Sequence, residues 1–407
     1  MQLLKTQHTM RLRMQLSQPI ATQTTPNSLS ASDTSISRLG GFTLLLVATL
    51  TIMVGAVLAP GLSSISQAMG MSEYAALLIT LPALGVVLLA PVFGLLIDKW
   101  GARRTLMLSL SGYFIFGSGG AFLTQSWLIM LDRLILGGFA AGAMASGTAL
   151  ISQWYSGKAR LGMIAKQGMA IELGGVIFLF VSGLLTEWNW RAPFLIYGFA
   201  AVILLLALAT IPKQQQNADK QQKVISHSSG RPVKSVLLYA MLSMATFYSM
   251  FVSLPGHLGT VGFSEAQVGY FLAFISFMAV IAAMLMPRMI TQTNESTTLA
   301  TAFICFAIAH ALFGLSTAVP VIILAAVITG IGFGFSIPLL NHSMVERSTE
   351  RNRGRNLSYF AMAVFIGQFL TSALSFIPLS SQGIFFVCAA IALICAIKVS
   401  YSKALQP

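Results

Sequence analysis

The chain has 407 residues, 56% of them hydrophobic and only 9% charged, against roughly 25% charged residues in soluble globular domains. With a mean hydropathy of +0.80, this excludes an ordinary soluble enzyme or binding domain and predicts a polytopic membrane protein. The formal net charge of +13 would suggest nucleic acid in a soluble chain, so where the charges sit must be read before their sign.

Residues 1–39 are polar, rich in Ser, Thr and Gln, and carry Lys5, Arg11, Arg13 and Arg38 against Asp33 alone. This composition predicts a disordered basic tail. It contains no apolar h-region and so does not read as a secretory signal, while an organelle transit peptide stays open on composition. Twelve apolar runs follow, at about 41–63, 74–97, 105–123, 127–154, 163–186, 192–211, 236–258, 266–286, 298–315, 319–340, 356–379 and 383–399. Each is long enough to cross a hydrocarbon core of roughly 30 Å as a helix.

Lys and Arg collect on alternate loops of that arrangement. With the N-terminus in the cytoplasm, 22 of the 24 basic residues fall on the cytoplasmic side, leaving only Arg133 and Arg191. The net charge is therefore an orientation signal, and nucleic acid is not needed to explain it. The stretch Lys213 to Lys234 is polar and basic and divides the twelve runs six and six. It reads as a flexible cytoplasmic linker. The predicted organisation is a tail at 1–39, a bundle at 40–212, a linker at 213–235, a second bundle at 236–400 and a short cytoplasmic tail at 401–407.

The two halves echo each other at an offset near 193 residues. GMSEY at 70–74 matches GFSEA at 262–266, LAPGL at 58–62 parallels SLPGH at 253–257, and Gly137 falls on Gly330. Met169, Ala170 and Gly174 fall on Met362, Ala363 and Gly367. Four matches in register favour two homologous six-helix bundles.

A tight polar knot, GLLIDKWGARR, spans Gly94 to Arg104 between the second and third runs. Gly101 lets the chain reverse, and Asp98 stands beside Lys99, Arg103 and Arg104, where charge-assisted hydrogen bonds can form. The pattern resembles the cytoplasmic loop signature of the major facilitator superfamily of secondary transporters, with Ala102 where that family more often has Arg or Lys. Arg133-x-x-x-Gly137, RNRGR at 351–355 and WNWRAPF at 188–194 resemble further motifs of the same family, and the resemblance covers about residues 40–400. In motif pattern it is closest to the twelve-helix drug/proton antiporter-like members, yet Phe178-Leu179 stands where they carry a Gly-Pro pair. The second-half counterpart of the knot reads MPRMITQTNES, with Arg288 but no aspartate. It reads as a one-sided gate.

The resemblance implies an all-α integral membrane fold, twelve helices in two homologous six-helix bundles around a central cavity lined by helices 1, 4, 7 and 10. It also implies alternating access, with Gly94, Asp98, Gly101, Arg103 and Arg104 gating the cytoplasmic face. Of eleven acidic residues only Asp132 and Glu172 fall well inside helices, where an ionisable group costs roughly 2.5–3.5 kcal/mol and is a functional hypothesis by default. Glu172 lies about 14 Å deep, near the midplane, at 1.5 Å per residue from Met163. It can carry a proton or bond a neighbouring helix as a structural group. Arg133 sits on a helix expected to face the cavity, with Asp132 turned about 100° away so that the two do not address one spot. In the family this arginine is linked to proton movement or anionic substrates; the structural alternative is a guanidinium paired with backbone carbonyls.

Phe247, Tyr248 and Phe251 on helix 7, with Phe335 and Asn341 on helix 10, are candidates for an aromatic, weakly polar substrate site; lipid contact or core packing is the competing role of each. His310 reads as a structural hydrogen bonder, and the helix 4 and helix 10 glycines as packing positions. Cys305, Cys388 and Cys395 lie in apolar segments with no metal spacing or disulfide framework. No cofactor, metal cluster or catalytic constellation is expected, and hence no enzyme. The sequence predicts a proton-coupled exporter of small amphipathic molecules, with protons, a small-molecule substrate and the lipid bilayer as partners, acting as a monomer in the cell membrane, the inner membrane if the source is bacterial. The rivals are a proton-coupled importer of a small metabolite and a non-transporting receptor or scaffold.

Overall fold

A computed structural model describes residues 36–212, 233–349 and 352–401. The tail expected at 1–39 and the linker expected at 213–235 lie almost wholly outside them. Among the described residues, twelve spans are long and apolar enough to cross a membrane, and they are built on α1 Arg38–Ala56, α2 Leu77–Trp100, α3 Ala102–Gly119, α4 Ser126–Trp154, α5 Gly157–Trp188, α6 Phe199–Thr210 (a span that begins at Ala192), α7 Lys234–Thr260, α8 Glu265–Gln292, α9 Glu295–Leu315, α10 Val319–Glu346, α11 Arg353–Leu370 and α12 Ser381–Tyr401. A 3-10 segment, Ala192–Gly198, leads into α6, and another, Thr371–Phe376, extends α11. No strand occurs among the described residues.

The helix ends have local causes. Ser37 caps α1 by accepting from the Gly40 amide at 3.0 Å, and Asn294 caps α9 by accepting from the Thr297 amide at 2.8 Å. Ser264 and Gln267 form a reciprocal capping box at the start of α8. The repeated GMSEY and GFSEA segments have a conformational reason for their glycine, since Gly70 and Gly262 adopt φ of 67° and 95°, a region other L residues avoid. The single run expected at 41–63 is in fact broken: α1 stops at Ala56, and a short helix, Leu62–Ala68, resumes past Pro60. Proline has no amide hydrogen and cannot continue the hydrogen-bond ladder.

The pairings of the first six helices recur in the second six. α2 packs on α4 as α8 packs on α10, and α3 on α4 as α9 on α10. The pairs α1 with α5 and α1 with α6 are matched by α7 with α11 and α7 with α12. Lipid supplies no hydrophobic force between helices, so these pairs rely on close van der Waals contact through small residues. A Cβ on Gly137 would collide with the Pro82 carbonyl, and one on Gly330 would stand 2.5 Å from Met278 Cβ. The twofold echo in sequence is therefore an echo of helix crossings. Two six-helix bundles result, meeting along α5 with α8 and along α2 with α11.

Candidate functional site

The break in α1 leaves a helix C-terminus in the middle of the protein, where unsatisfied carbonyls are costly. Its carbonyls can be accounted for one by one. Met53 O accepts the Val57 amide and Ala56 O the Ala59 amide. Val54 O accepts from the Tyr197 hydroxyl at 3.3 Å, and Val57 O accepts from Ser182. Gly55 O accepts from the Tyr248 hydroxyl at 3.1 Å, and that hydroxyl also lies 3.2 Å from Ile79 O. Tyr197 and Ser182 belong to the first bundle, whereas Tyr248 comes from α7 of the second.

The ends of adjacent helices alternate between two faces. One face carries Lys99, Arg103, Arg104, Arg160, Arg288 and Arg353, and we call it the basic face. Contacts between the bundles gather on the other side. Gly183 of α5 and Gly269 of α8 approach so closely that a Cβ on Gly183 would lie 2.8 Å from Gly269 Cα. Phe180 stacks on Tyr270 at 4.8 Å between centroids, and Tyr74 meets Phe376 at 6.3 Å. Ser264 Oγ lies 3.4 Å from Glu187 Oε2. The structure is thus closed on the face opposite the basic one.

The polar knot behaves differently from its expected cluster. Gly101, with φ of 82°, turns the chain from α2 into α3 as anticipated. Asp98, however, makes no hydrogen bond or ion pair among the described residues. Arg103 instead donates to Ile211 O at 2.8 Å and Leu208 O at 3.4 Å, the free carbonyls at the C-terminus of α6. A guanidinium is favoured there by both hydrogen bonding and the helix dipole. Arg104 is exposed, and a Cβ on Gly94 would meet no heavy atom within 4 Å.

Glu172 is half-buried on α5 and has no hydrogen-bond or ionic partner among the described residues. It is eleven residues from Gly183, which at 100° per residue returns to within about 20° of the same helical face. Glu172 therefore shares the face that α5 turns toward the second bundle, about 16 Å nearer the basic side. Its position combines an unpaired carboxyl with the seam between bundles.

Arg133 and Asp132 correct two expectations. Arg133 does not face the second bundle: it is 1% exposed and packs within the first, donating to Phe116 O at 2.9 Å and Gly117 O at 3.4 Å on α3. The rings of Phe194 and Tyr197 cover it at 5.4 and 5.5 Å. Nor do the neighbours point apart, since Arg133 Nε and Nη2 reach Asp132 Oδ2 at 2.9 and 2.6 Å. The 100° between adjacent Cβ directions does not limit a side chain as long as arginine. A Cβ on Gly120 would strike the guanidinium, so the end of α3 is shaped to admit it.

Among the aromatic candidates, Phe247, Tyr248 and Phe251 do assemble. Phe247 meets Phe251 at 5.4 Å, and Tyr248 stacks on Phe251 at 5.1 Å. The partner from α10 is Phe333, 4.0 Å from Phe247. Phe335, two positions later and so on the far side of the helix, makes no ring contact among the described residues, and Asn341 is exposed toward the basic face. His310 is fully buried, with Nδ1 2.8 Å from Phe306 O and Nε2 2.8 Å from Ser249 Oγ. It ties α9 to α7.

The family profile of the Major Facilitator Superfamily matches residues 44–372. The chain belongs to the Major Facilitator Superfamily. The superfamily's twelve-helix, two-bundle architecture is present, and the protein is a membrane transporter rather than an enzyme. It is 24% identical over 293 residues to the tetracycline resistance protein, class B, of Escherichia coli, covering 68% of this chain and 72% of that one. It is 38% identical over 144 residues to a multi-drug resistance efflux pump PmrA homolog of Lactococcus lactis, covering 34% of this chain and 33% of the relative. The chain spans 24–45% of the length of other curated relatives that it matches. In fold it is similar to a D-xylose-proton symporter, with a TM-score of 0.71, 17% identity and coverage of 90% of this chain and 98% of that one.

Proposed function

We propose that this transporter exports small amphipathic molecules in exchange for protons, acting as a monomer by alternating access, with the basic face in the cytoplasm. The observation that carries the reading is Glu172, a carboxyl with no partner among the described residues, on the α5 face turned to the second bundle. A carboxyl without a fixed counter-charge can take up and release a proton as its surroundings change. The α7 cluster of Phe247, Tyr248 and Phe251 is aromatic and uncharged, which suits an apolar cargo with few polar groups. A relative named for multi-drug efflux agrees in direction, and one named for tetracycline resistance fits a protective role. Sorting of basic residues to one face supports a cytoplasmic orientation of both termini, in the bacterial inner membrane if the source is bacterial. We place the bundles at 40–212 and 236–400 around the linker at 213–235.

In this reading, Gly94, Asp98, Gly101, Arg103 and Arg104 form the cytoplasmic gate, and Asp98 finds its partners when that face closes. Arg133 and Asp132 hold α4 against α3 rather than carry the transported proton. Phe247, Tyr248 and Phe251 line the cargo path. A second reading, proton-coupled import of a small metabolite, is supported by a stretch of 127 residues 30% identical to a D-xylose transporter of Levilactobacillus brevis. The test is accumulation of a panel of amphipathic antibiotics, dyes and sugars in cells that overproduce the protein, with and without a protonophore. Export predicts lowered accumulation of at least one amphipathic compound, restored by the protonophore. Raised sugar uptake would instead establish the importer.

A further inference from the structure

We infer that the Tyr248 hydroxyl is a latch between the bundles, capping an orphaned carbonyl of the broken α1 from across the seam; this rests on the alternating-access reading. Three side chains cap the end of α1, and only Tyr248 belongs to the bundle that must move away. The contact joins residues 193 positions apart in the chain, one from each bundle. A side chain at position 55 would occupy the space Tyr248 needs, since a Cβ there would stand 2.5 Å from the Tyr248 hydroxyl and 2.7 Å from Gln368 Nε2.

Gly55 O accepts no backbone amide among the described residues, and its α-helical partner, the Ala59 amide, is committed to Ala56 O. Tyr248 is 1% exposed and its ring is held by Phe251, so the hydroxyl is fixed between two carbonyls of the first bundle, Gly55 O on α1 and Ile79 O on α2, and shares its one proton between them. When the opposite face opens, the hydroxyl leaves and Gly55 O requires a substitute donor, either water or an O–H or N–H of the cargo. Opening is thereby linked to hydration or occupancy of the central seam. Tyr248 is a positioning residue, setting the balance between the closed and open states of that face.

The test compares Tyr248→Phe with Tyr197→Phe. The first keeps the ring and removes the hydroxyl that bridges the bundles; the second removes a cap of similar geometry that lies within one bundle. Spin labels introduced by Ser72→Cys and Ser380→Cys, both exposed on the opposite face, report the distance between bundles in a background carrying Cys305→Ser, Cys388→Ser and Cys395→Ser. Loss of one net hydrogen bond predicts that Tyr248→Phe raises the ratio of open to closed populations about 2- to 10-fold. Tyr197→Phe leaves that ratio within about 1.5-fold while lowering thermal stability. Two populations in the parent with an unchanged ratio in Tyr248→Phe overturn the latch and leave alternating access standing. A single fixed distance in every variant overturns both.

Discussion

Arg133 is held by a carboxylate, two main-chain carbonyls and two aromatic rings, all within the first bundle. Its Nη1 has no hydrogen-bond partner among the described residues, and the rings of Phe194 and Tyr197 are the surroundings that stabilise the remaining charge. Taking away one member of a buried ion pair leaves the other uncompensated and costs about 3–5 kcal/mol, whereas replacing both with apolar groups is often close to neutral. Arg133→Met should therefore lower the thermal unfolding midpoint in detergent strongly, and Asp132→Leu combined with Arg133→Met should recover much of that loss. A lone Arg133→Met protein as stable as the parent would show that the pair does not hold the bundle together. Sequence separation hides such a site. Arg133 is visible in the sequence as an intramembrane cation, but its acceptors on Phe116 and Gly117 and the rings of Phe194 and Tyr197 are brought to it only by the fold. The same holds for the Tyr248 hydroxyl, whose acceptors lie 193 and 169 residues away.

At the scale of the helix, glycines decide where elements cross. Gly183 and Gly269 meet backbone to backbone where α5 and α8 seal the opposite face, so added atoms there obstruct that closure rather than the folding of either bundle. Gly183→Leu should shift the two-bundle equilibrium toward an open opposite face, read as increased alkylation of a cysteine placed by Ser264→Cys. Unchanged alkylation would contradict the seal. Gly137 lies inside a bundle, at the α2–α4 crossing, and Gly137→Val is expected to cost about 1–3 kcal/mol by overpacking, seen as reduced yield of folded protein. Equal yields of variant and parent would contradict a tight crossing. The repeat makes Gly137 and Gly330 legible as packing positions, because both fall at the same register of homologous helices. The interruption of α1 is less legible. Pro60 signals a stop, but a proline in an apolar run is compatible with a continuous kinked helix, and the broken form persists because Ser182, Tyr197 and Tyr248 supply the missing donors.

For the whole molecule, architecture follows from forces that leave a plain trace in sequence. Apolar runs must match bilayer thickness, basic residues must stay on one side, and a duplicated bundle keeps its crossings; helix number and pairing follow from these. Cargo and coupling leave little trace, since they depend on how few groups face a seam formed by distant segments. Asp98 illustrates the limit, because it has no partner among the described residues, and on the proposed reading it finds one only when the basic face closes. On the proposed reading coupling rests on Glu172, and gradient-driven transport by the Glu172→Gln protein tests the account most directly. For a compound exported by the parent in everted membrane vesicles, the variant should retain binding and downhill exchange while losing accumulation driven by a pH gradient. Undiminished gradient-driven accumulation in Glu172→Gln would contradict it.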